Sequence, residues 1–550
     1  MEFKKKLLLT PSSPLFSEIW KEGKGVLGTY SPEQFALRLS PEIHQVLAPV
    51  VAGVNKARDV PSEVIQAYST YLHETIHWWQ HIGSTSGFIF SLATPVQFHA
   101  NYKHLKEFLK KIGGKMPIWH ITSSQSLIGS LSAEEAALCN TIVNNYMDID
   151  FFYHYQFSPK KFQEISESSY FECLAHSFEV AYGNTILTLK TIFFDDGCPL
   201  PDPYAMREIH RQRADDRMTS YYYGSPILIP PLGVQYLFEA QARFSQMQYL
   251  YFSSGGKFGF ERAKSLGMLS ELYVYAFELY LNLSGQPFPE KLDDPSVNLF
   301  LLVCDISINP TAGFPVGYTN GDDVVVDNSP GIRFFQISSF VKENISNLLN
   351  LVRPCDRGAY VSATDYICDG LGIDSPMKSL SVVGDWAGHK DVVDIMSGHS
   401  RFQYSNGNLP IKFLFAHFVE FCESKFLQPD FFCWPAYWLF GERAGAYSAS
   451  LLHKHEAPFI NTQKNDGIYP RLRRGIKEKQ LSDTLTDFYS GVLVYDLSRQ
   501  WISGKEWFKY DQSWLSEKYE YSDIRKWVND IFESTFGVST EKFEFIRFVP

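Results

Sequence analysis

The sequence lacks any paired arrangement of cysteines. Its eight cysteines are scattered along 550 residues, and no two of them form a CxxC pair. A disulfide framework and a thiolate zinc knuckle both need closely grouped cysteines, so the pattern favours neither. We therefore expect reduced, mostly buried thiols in a cytoplasmic protein.

Long uninterrupted apolar runs are also missing. The most apolar stretch, 413–440, is broken by charged residues, a histidine and prolines, whereas a membrane-spanning helix needs about 20 consecutive apolar residues. Near the N-terminus, the three leucines at 7–9 follow three lysines, but they are too few for the apolar segment of a signal peptide. The sequence thus predicts buried helices and no membrane partner.

An excess of basic charge is absent as well. The chain has 50 Lys and Arg against 61 Asp and Glu, which gives a formal net charge of -11. A nucleic-acid-binding protein normally carries a basic face, so no nucleic-acid partner is indicated. Neither a GxxxxGK[ST] phosphate loop nor a GxSxG elbow occurs, and this disfavours nucleotide hydrolysis and serine esterase chemistry.

Helical spacing of apolar residues is what the sequence does contain. Hydrophobic residues make up 45% of the chain, enough for large packed cores. Spacings of three and four residues predict helices at 62–82, 95–111, 131–155, 168–191, 233–252, 260–282, 333–353, 411–427 and 479–502. Loops are predicted at 283–296 and 309–331, and strands or extended connections at KLLLT and VLAPVVAGV within the first 60 residues.

These patterns predict a mainly α fold with minor β structure (α+β). The length suggests several domain-sized units. We divide the chain into a catalytic region, 1–285, that contains the motif described next, and a mostly helical C-terminal region, 286–550, of unknown role.

The most informative motif is HETIH at residues 73–77, inside the first long predicted helix. Pro61 suits the first turn of that helix and Gly83 its C-terminal cap. Because a helix turns 100° per residue, His73 and His77 lie one above the other, and two such imidazoles can bind one metal ion. Glu74 points about 100° aside, where it can act as a general base without ligating the metal.

A cluster of ordinary buried histidines is the competing interpretation. The tryptophans at 78 and 79 indicate that this helix is buried, and chance occurrences of HExxH are expected in only a few of every hundred chains of this composition. The metal site is therefore the favoured interpretation. His81 lies about 12 Å along the axis from His73, so we expect it to support the site or to be packed, not to ligate the same ion.

HETIH resembles the signature of the zincin metallopeptidases. The metzincin form is not matched, because residue 83 is Gly and residue 80 is Gln. The resemblance is closer to the gluzincins, and it implies a Zn²⁺ cofactor and a downstream glutamate as third ligand. The resemblance covers the motif helix and one further helix, and no specific family is indicated.

Two glutamates are candidates for the third ligand. Glu239 lies in LGVQYLFEAQARFSQMQYL, where small neighbours would let two helices approach closely, although an ion pair with Arg243 is the alternative role. Glu172 lies in SYFECLAHSFEVAYG, where Ser169-x-x-Glu172 also fits a helix capping box. We favour Glu239 and keep Glu172 as the alternative.

A peptidase of this type also needs a donor that stabilises the oxyanion of the tetrahedral intermediate. Several residues offer a suitable group for that role or for support of the metal ligands, and the sequence does not choose among them. They are His81, His176, His210, Tyr221, Tyr222, Tyr223 and Arg243.

The sequence thus predicts an intracellular zinc metallopeptidase that cleaves a protein or peptide substrate. His73, His77 and Glu239 would hold the zinc, and Glu74 would take a proton from the attacking water. Two alternatives stay open. One is a non-catalytic or regulatory protein with a structural metal site, and the other is a protease that is dormant until a protein partner or signal activates it.

Two other groups of histidines are weaker metal candidates. One is His453 and His455 with Glu456, which we interpret as surface residues. The other is His389 and His399 with the aspartates between them.

Overall fold

The structure is a computed structural model. It describes residues 2–8, 27–48, 60–194, 197–319, 321–405, 407–510, 512, 514–515 and 520–547. The chain is mainly helical, with 65% helix and 5% strand. This confirms the prediction of a mainly α fold with minor β structure.

The helices are numbered in chain order. They are α1 (Pro41–Leu47), α2 (Ser62–Gly83), α3 (Thr85–Lys111), α4 (Ile118–Ser123), α5 (Gln125–Gly129), α6 (Ala133–Phe157), α7 (Pro159–Ile165), α8 (Leu174–Lys190), α9 (Met206–Asp215), α10 (Val234–Ser253), α11 (Phe260–Leu266), α12 (Glu271–Ser284), α13 (Pro295–Ser307), α14 (Val324–Asp327), α15 (Pro330–Val352), α16 (Arg357–Leu371), α17 (Pro376–Trp386), α18 (Lys390–Arg401), α19 (Leu409–Leu427), α20 (Pro429–Cys433), α21 (Pro435–Leu439), α22 (Ala446–Lys454), α23 (Glu478–Ser503) and α24 (Tyr521–Phe536).

The strands form two small sheets. They are β1 (Gly28–Ser31), β2 (Ala36–Leu39), β3 (Lys115–Met116), β4 (Phe459–Thr462), β5 (Asn465–Pro470) and β6 (Glu544–Phe545). The larger sheet has the order β1-β2-β4-β5, with β2 and β4 parallel and the other neighbours antiparallel. β3 and β6 pair in parallel. Each sheet therefore joins segments that are far apart in the sequence.

Helix α2, which carries the motif, is enclosed by other elements along almost its whole length. It packs against α1, α3, α10 and α19 and against β1 and β2. A helix that is surrounded in this way is normally apolar all round. This one nevertheless buries eight polar side chains, namely Gln66, Ser69, Thr70, His73, Glu74, Thr75, Gln80 and His81. Buried polar groups are costly when they are unpaired, and the partners of these side chains come from α2 itself, from residues 2–8, from β1 and from α10.

Helix α10 is the most extensive neighbour of α2 and carries Glu239. Ala240 and Ala242 on this helix are fully buried, and such small side chains let two helix backbones lie close together. The chain enters α10 through Gly233, where a Cβ atom would lie 2.2 Å from the carbonyl oxygen of Phe157. A glycine is therefore required at the start of this helix.

Residues of the predicted C-terminal region pack directly around the motif helix. In the larger sheet, Leu37 of β2 pairs with Ile460 of β4, and the Trp79 Nε1–H donates to the His455 carbonyl oxygen at 2.9 Å. The buried apolar side chains of the described residues form a cluster that runs through both regions. The boundary between 285 and 286 stays a prediction, and a broad interface joins the two sides.

Gly83 does not cap the motif helix, contrary to the prediction. It is the last helical residue, and Ser84 is the cap, with its backbone N–H donating to the Gln80 carbonyl oxygen. A Cβ atom at Gly83 would lie 2.1 Å from the ring of Phe421 in α19. The glycine is needed because another helix crosses at this point.

Other boundaries were wrong for identifiable reasons. Helix α3 begins at Thr85 and not at residue 95, since Pro95 is tolerated inside the helix. The predicted helix 260–282 is divided at Gly267, which has a positive φ of 83° and caps α11. The Ser169–Glu172 capping box does not form, because α8 begins only at Leu174.

The described parts of the two apolar N-terminal segments are not strands. Lys5–Leu7 is a short 3₁₀ turn, and residues 46 and 47 end α1, whereas 49–54 lie outside the described residues. Among the helices that the structure describes, none is both long enough and apolar enough to cross a membrane.

We predict that Gly83→Ala destabilises the fold by about 1–3 kcal/mol, because the new methyl group overlaps the Phe421 ring in a filled core. Gly384→Ala in α17 is the control. No heavy atom of the described residues lies within 4 Å of a Cβ there, so the higher helix propensity of alanine should stabilise it by up to about 1 kcal/mol. Thermal unfolding at a fixed scan rate compares them. Equal transition midpoints for the two variants would contradict the packing argument.

Candidate metal centre and active site

Three predicted ligands lie together between α2 and α10. The Nε2 atoms of His73 and His77 are 3.1 Å apart. The Oε2 atom of Glu239 lies 3.6 Å from the first and 3.4 Å from the second. Three donor atoms from two helices therefore face one point.

The dimensions of this triangle suit a small metal ion. Ligand atoms about 2.0–2.1 Å from a tetrahedral zinc ion are about 3.4 Å from each other, and the three measured separations of 3.1, 3.4 and 3.6 Å lie around that value. The Oε2 atom of Glu239 is buried and accepts no hydrogen bond from the described residues. A cation at the centre of the triangle would satisfy it, so the donor set fits Zn²⁺.

Gln80 orients the second histidine. The His77 Nδ1–H is 2.8 Å from the Gln80 Oε1 atom to which it donates. The Gln80 amide in turn donates to the Phe238 carbonyl oxygen and to Gln241 Oε1, each at 2.9 Å. This arrangement leaves the Nε2 lone pair of His77 directed at the centre, as is usual for metal-ligating histidines. For His73, the buried Nδ1 has no partner in the described part of the chain.

Burial and mutual attraction set the charges of the ligands. Burial lowers the pKa of His73 to about 3, and the nearby Arg243 acts in the same direction. For His77, burial opposes the charged form, but the Glu239 carboxylate outweighs it and raises the pKa to about 9. Burial also opposes the charge of Glu239, yet His77 holds the pKa of this carboxyl well below its usual range. Glu239 is thus an anion that attracts a proton or a cation to the two imidazoles.

Glu74 lies beside this centre and against β1. A Cβ atom at Gly28 would be 2.6 Å from Glu74 Cγ, so only glycine leaves room for the carboxylate. The backbone N–H of Tyr30 donates to that carboxylate. Burial raises the pKa of Glu74 to about 7, which is close to the value that serves a general base best at neutral pH. No local pattern in the sequence marks this strand contact, because it joins segments that are far apart in the sequence.

Arg243 and Tyr273 form the wall of the site on the side of His73. The Arg243 guanidinium lies 3.9 Å from the centre of the Tyr273 ring, and that ring is 6.1 Å from the His73 ring. Arg243 donates to Gln246 Oε1 and to the Leu8 carbonyl oxygen. It does not form the ion pair with Glu239 that the sequence offered as the alternative role of that glutamate. Burial raises the pKa of the Tyr273 hydroxyl, whereas Arg243 acts against this.

Sequence reasoning missed Tyr273. It stands in ELYVYAFELYLNLS with several other aromatic residues, and none of its neighbours marks it as different. Glu239 and Glu74 both act to raise the pKa of its hydroxyl, because their negative charge disfavours the ionised form of the phenol. Its ring lies beside the His73 ring and under the Arg243 guanidinium, so Tyr273 belongs to the wall of the site.

The alternative ligand Glu172 lies elsewhere. Its carboxylate is 3.8 Å from Nδ1 of His176, whose Nε2 is 3.3 Å from Asp148. Glu172 lies just before α8, His176 in α8 and Asp148 in α6, so none of them belongs to the α2–α10 contact. The structure therefore places Glu239, and not Glu172, beside the two motif histidines.

The remaining candidates also have other surroundings. The Nδ1 atom of His210 is 2.9 Å from Glu179, and its Nε2–H donates to the Tyr221 carbonyl oxygen at 3.1 Å. The ring of Tyr222 lies under the guanidinium of Arg217 at 4.9 Å. His81 is packed between the rings of Tyr30 and Phe238 at 5.3 and 5.2 Å. Of the predicted supporting residues, Arg243 is the one that the structure places in the wall of the site.

Known proteins do not supply an identity for this chain. No family model, no curated protein and no solved structure matches it. The function of the protein is therefore inferred from the geometry and chemistry of the site.

We predict that, in the metal-free protein, Glu74→Gln raises the stability above that of the wild type by more at pH 8 than at pH 5. The unfolded carboxyl ionises near pH 4.5 and the buried one near 7, so wild-type stability falls as the pH rises through this window, by up to about 3 kcal/mol. The amide of the variant does not titrate, so its free energy of unfolding does not fall with pH for this reason. Urea unfolding in chelator at both pH values measures the difference. Glu63→Gln at the exposed start of α2 is the control, and a pH-independent advantage of Glu74→Gln would contradict the assignment.

Proposed function

We propose that this protein is a zinc-dependent metallopeptidase that hydrolyses a peptide bond. The observation that carries the proposal is the convergence of His73 Nε2, His77 Nε2 and Glu239 Oε2 at separations of 3.1–3.6 Å, with Glu74 beside them. Two imidazoles, both neutral once a metal ion replaces the proton on His77, and a carboxylate, with a fourth position left open, are the ligand set of a catalytic zinc site. This is also what the zincin resemblance of the sequence predicts.

Each residue then has a defined task. His73, His77 and Glu239 would hold the ion, which when bound supplies Lewis-acid chemistry by lowering the pKa of a water molecule and polarising a carbonyl oxygen. The Glu74 carboxylate would take a proton from the attacking water and give it to the leaving nitrogen. A carboxyl with a pKa of about 7 exchanges protons readily in both directions at neutral pH.

Tyr273 is suited to stabilise negative charge on the reacting carbonyl oxygen. Its hydroxyl can donate a hydrogen bond, and the Arg243 cation over its ring strengthens it as a donor, because it favours negative charge at the hydroxyl oxygen. Such a donor acts mainly on the transition state, because the charge on the carbonyl oxygen develops only there.

Access to the centre is from the side of Glu239 and His77. Their side chains are 25% and 12% exposed, whereas Glu74 as a residue is only 3% exposed. Strand β1, which holds Glu74 in place, forms one edge of the described sheet. An extended peptide can pair with such an edge through its main chain, and this favours a peptide over other hydrolysable substrates.

We predict that Glu74→Gln keeps the zinc of the HExxH centre but loses at least ~99% of hydrolysis, since the base is removed and the ligands are not. Glu239→Ala and His77→Ala should lose both the zinc of this centre and hydrolysis. Elemental analysis and a quenched-fluorescence peptide library, applied to each variant, measure the two properties.

Glu172→Ala is the matched control for the third ligand and should bind zinc as the wild type does. Full hydrolysis by Glu74→Gln would refute the mechanism. Zinc bound at the HExxH centre without any peptide hydrolysis by the wild type would instead favour a structural metal site or a dormant protease.

We further predict that Tyr273→Phe lowers kcat by about 100-fold with zinc content unchanged, as is typical when one donor to a developing oxyanion is removed. Tyr275→Phe on the same helix is the control, because that hydroxyl faces the Pro231 carbonyl oxygen at 3.4 Å. Steady-state kinetics on a peptide selected from the library separates kcat from KM. A rise in KM alone would show that Tyr273 binds substrate without stabilising the transition state.

A further inference from the structure

A second cluster of metal-ligating side chains lies between α18 and α19. It consists of His399, His417 and Glu420, and one potential ligand atom of each lies within 4.8 Å of those of the other two. The two histidines are 2% and 4% exposed. Donors on three buried or half-buried side chains thus meet at one point, and none of them belongs to the HExxH centre.

The first histidine is oriented as a metal ligand usually is. His399 Nδ1 is 2.6 Å from the hydroxyl of Tyr404, and its Nε2 is 3.3 Å from Glu420 Oε2. A hydrogen bond to one ring nitrogen sets the direction of the other nitrogen, and this is the common support of metal-bound histidines. Tyr404 therefore holds His399 with Nε2 facing Glu420.

The second histidine has a buried nitrogen that nothing satisfies. Nε2 of His417 has no hydrogen-bond partner among the described residues. Its ring is packed against the rings of Phe413 and Trp78, with centroid distances of 4.6 and 5.4 Å. Buried polar atoms are almost always paired, and a simple ion pair between His399 and Glu420 would leave this nitrogen unexplained. A metal ion would account for it.

The charges around the cluster narrow the choice of ion. The other carboxylate oxygen of Glu420, Oε1, is 3.8 Å from Lys454 Nζ, and the buried Arg473 also attracts this carboxylate. These two cations already balance much of the negative charge of Glu420. Hard cations such as Ca²⁺ and Mg²⁺ would bind weakly here, because they depend on several oxygen ligands. Zn²⁺ and similar ions bind well to neutral imidazole.

We propose that His399, His417 and Glu420 form a second site for a divalent transition-metal ion of the zinc class. This site is structural. It joins α18 to α19, and through the contact of His417 with Trp78 it supports α2 next to His77. The proposal is independent of the HExxH chemistry, since no residue is shared by the two sites.

The test is zinc stoichiometry of the full chain, by titration of chelator-treated protein with zinc alone. We expect two equivalents in the wild type, one in His399→Ala, one in Glu239→Ala and none in the double variant. His453→Ala is the matched control, since this residue is on the adjacent α22 with a side chain 55% exposed and pairs with Glu456, and it should keep both equivalents.

Glu420→Gln provides a second, nearly isosteric test in case His399→Ala does not fold. Binding of one of the two zinc equivalents should weaken at least about tenfold, because loss of a group that only supports a ligand already costs that much, and binding of the other should be unchanged. One wild-type equivalent that is lost in Glu239→Ala and kept in His399→Ala would overturn the second site and leave the proposed peptidase intact. One equivalent lost in His399→Ala and kept in Glu239→Ala would support the second site and count against the HExxH centre.

Discussion

The polar contact between α2 and α10 is the interaction on which the candidate site depends. At one end of the contact, Gln80 donates to the Phe238 carbonyl oxygen and to Gln241. At the other end, Gln246 donates to Ser69 at 3.3 Å. The histidines of the motif and Glu239 lie between these two ends. Because both helices are buried, water does not compete for these hydrogen bonds, and they fix the position of α2 along the axis of α10. A displacement by one helical turn would separate Glu239 from both imidazoles.

The same burial gives the ligands their chemical character. In water, two histidines and a glutamate would be ordinary, weakly interacting groups. Here the enclosed Glu239 holds its charge only because of the adjacent imidazoles, and His77 is held charged by Glu239. An anion that is enclosed and incompletely paired is expensive, so the arrangement is most stable with a cation at its centre. Proton and metal ion compete for the same nitrogen atoms, and metal binding should therefore weaken as the pH falls.

The sequence predicted those parts of the site whose information is local. The bounds of α2 agree within one residue with the spacing of its apolar residues, and the i,i+4 histidines follow from helix geometry. Glu239 could be selected because its small neighbours stand on the same helix. Gly28 and Tyr273 could not be selected, since their roles arise from packing between distant segments. The error at Gly83 has the same origin, because a glycine that accommodates Phe421 looks in the sequence like a helix cap.

His417 and Glu420 form a pair of polar residues at helical spacing, and this signal was present in the sequence but was not used. In FLFAHFVEFCESKFL they are polar residues three apart, and one helical turn brings them to the same face. They appeared in the sequence only as interruptions of an apolar run. In a buried helix each polar side chain needs a partner. The partner of these two is His399, which lies in α18, the preceding helix of the chain. The ring of Trp78 then links this cluster to the helix that carries the HExxH motif. The C-terminal region therefore encloses the back of the motif helix, and removing it would expose the apolar and polar side chains that keep His77 in position.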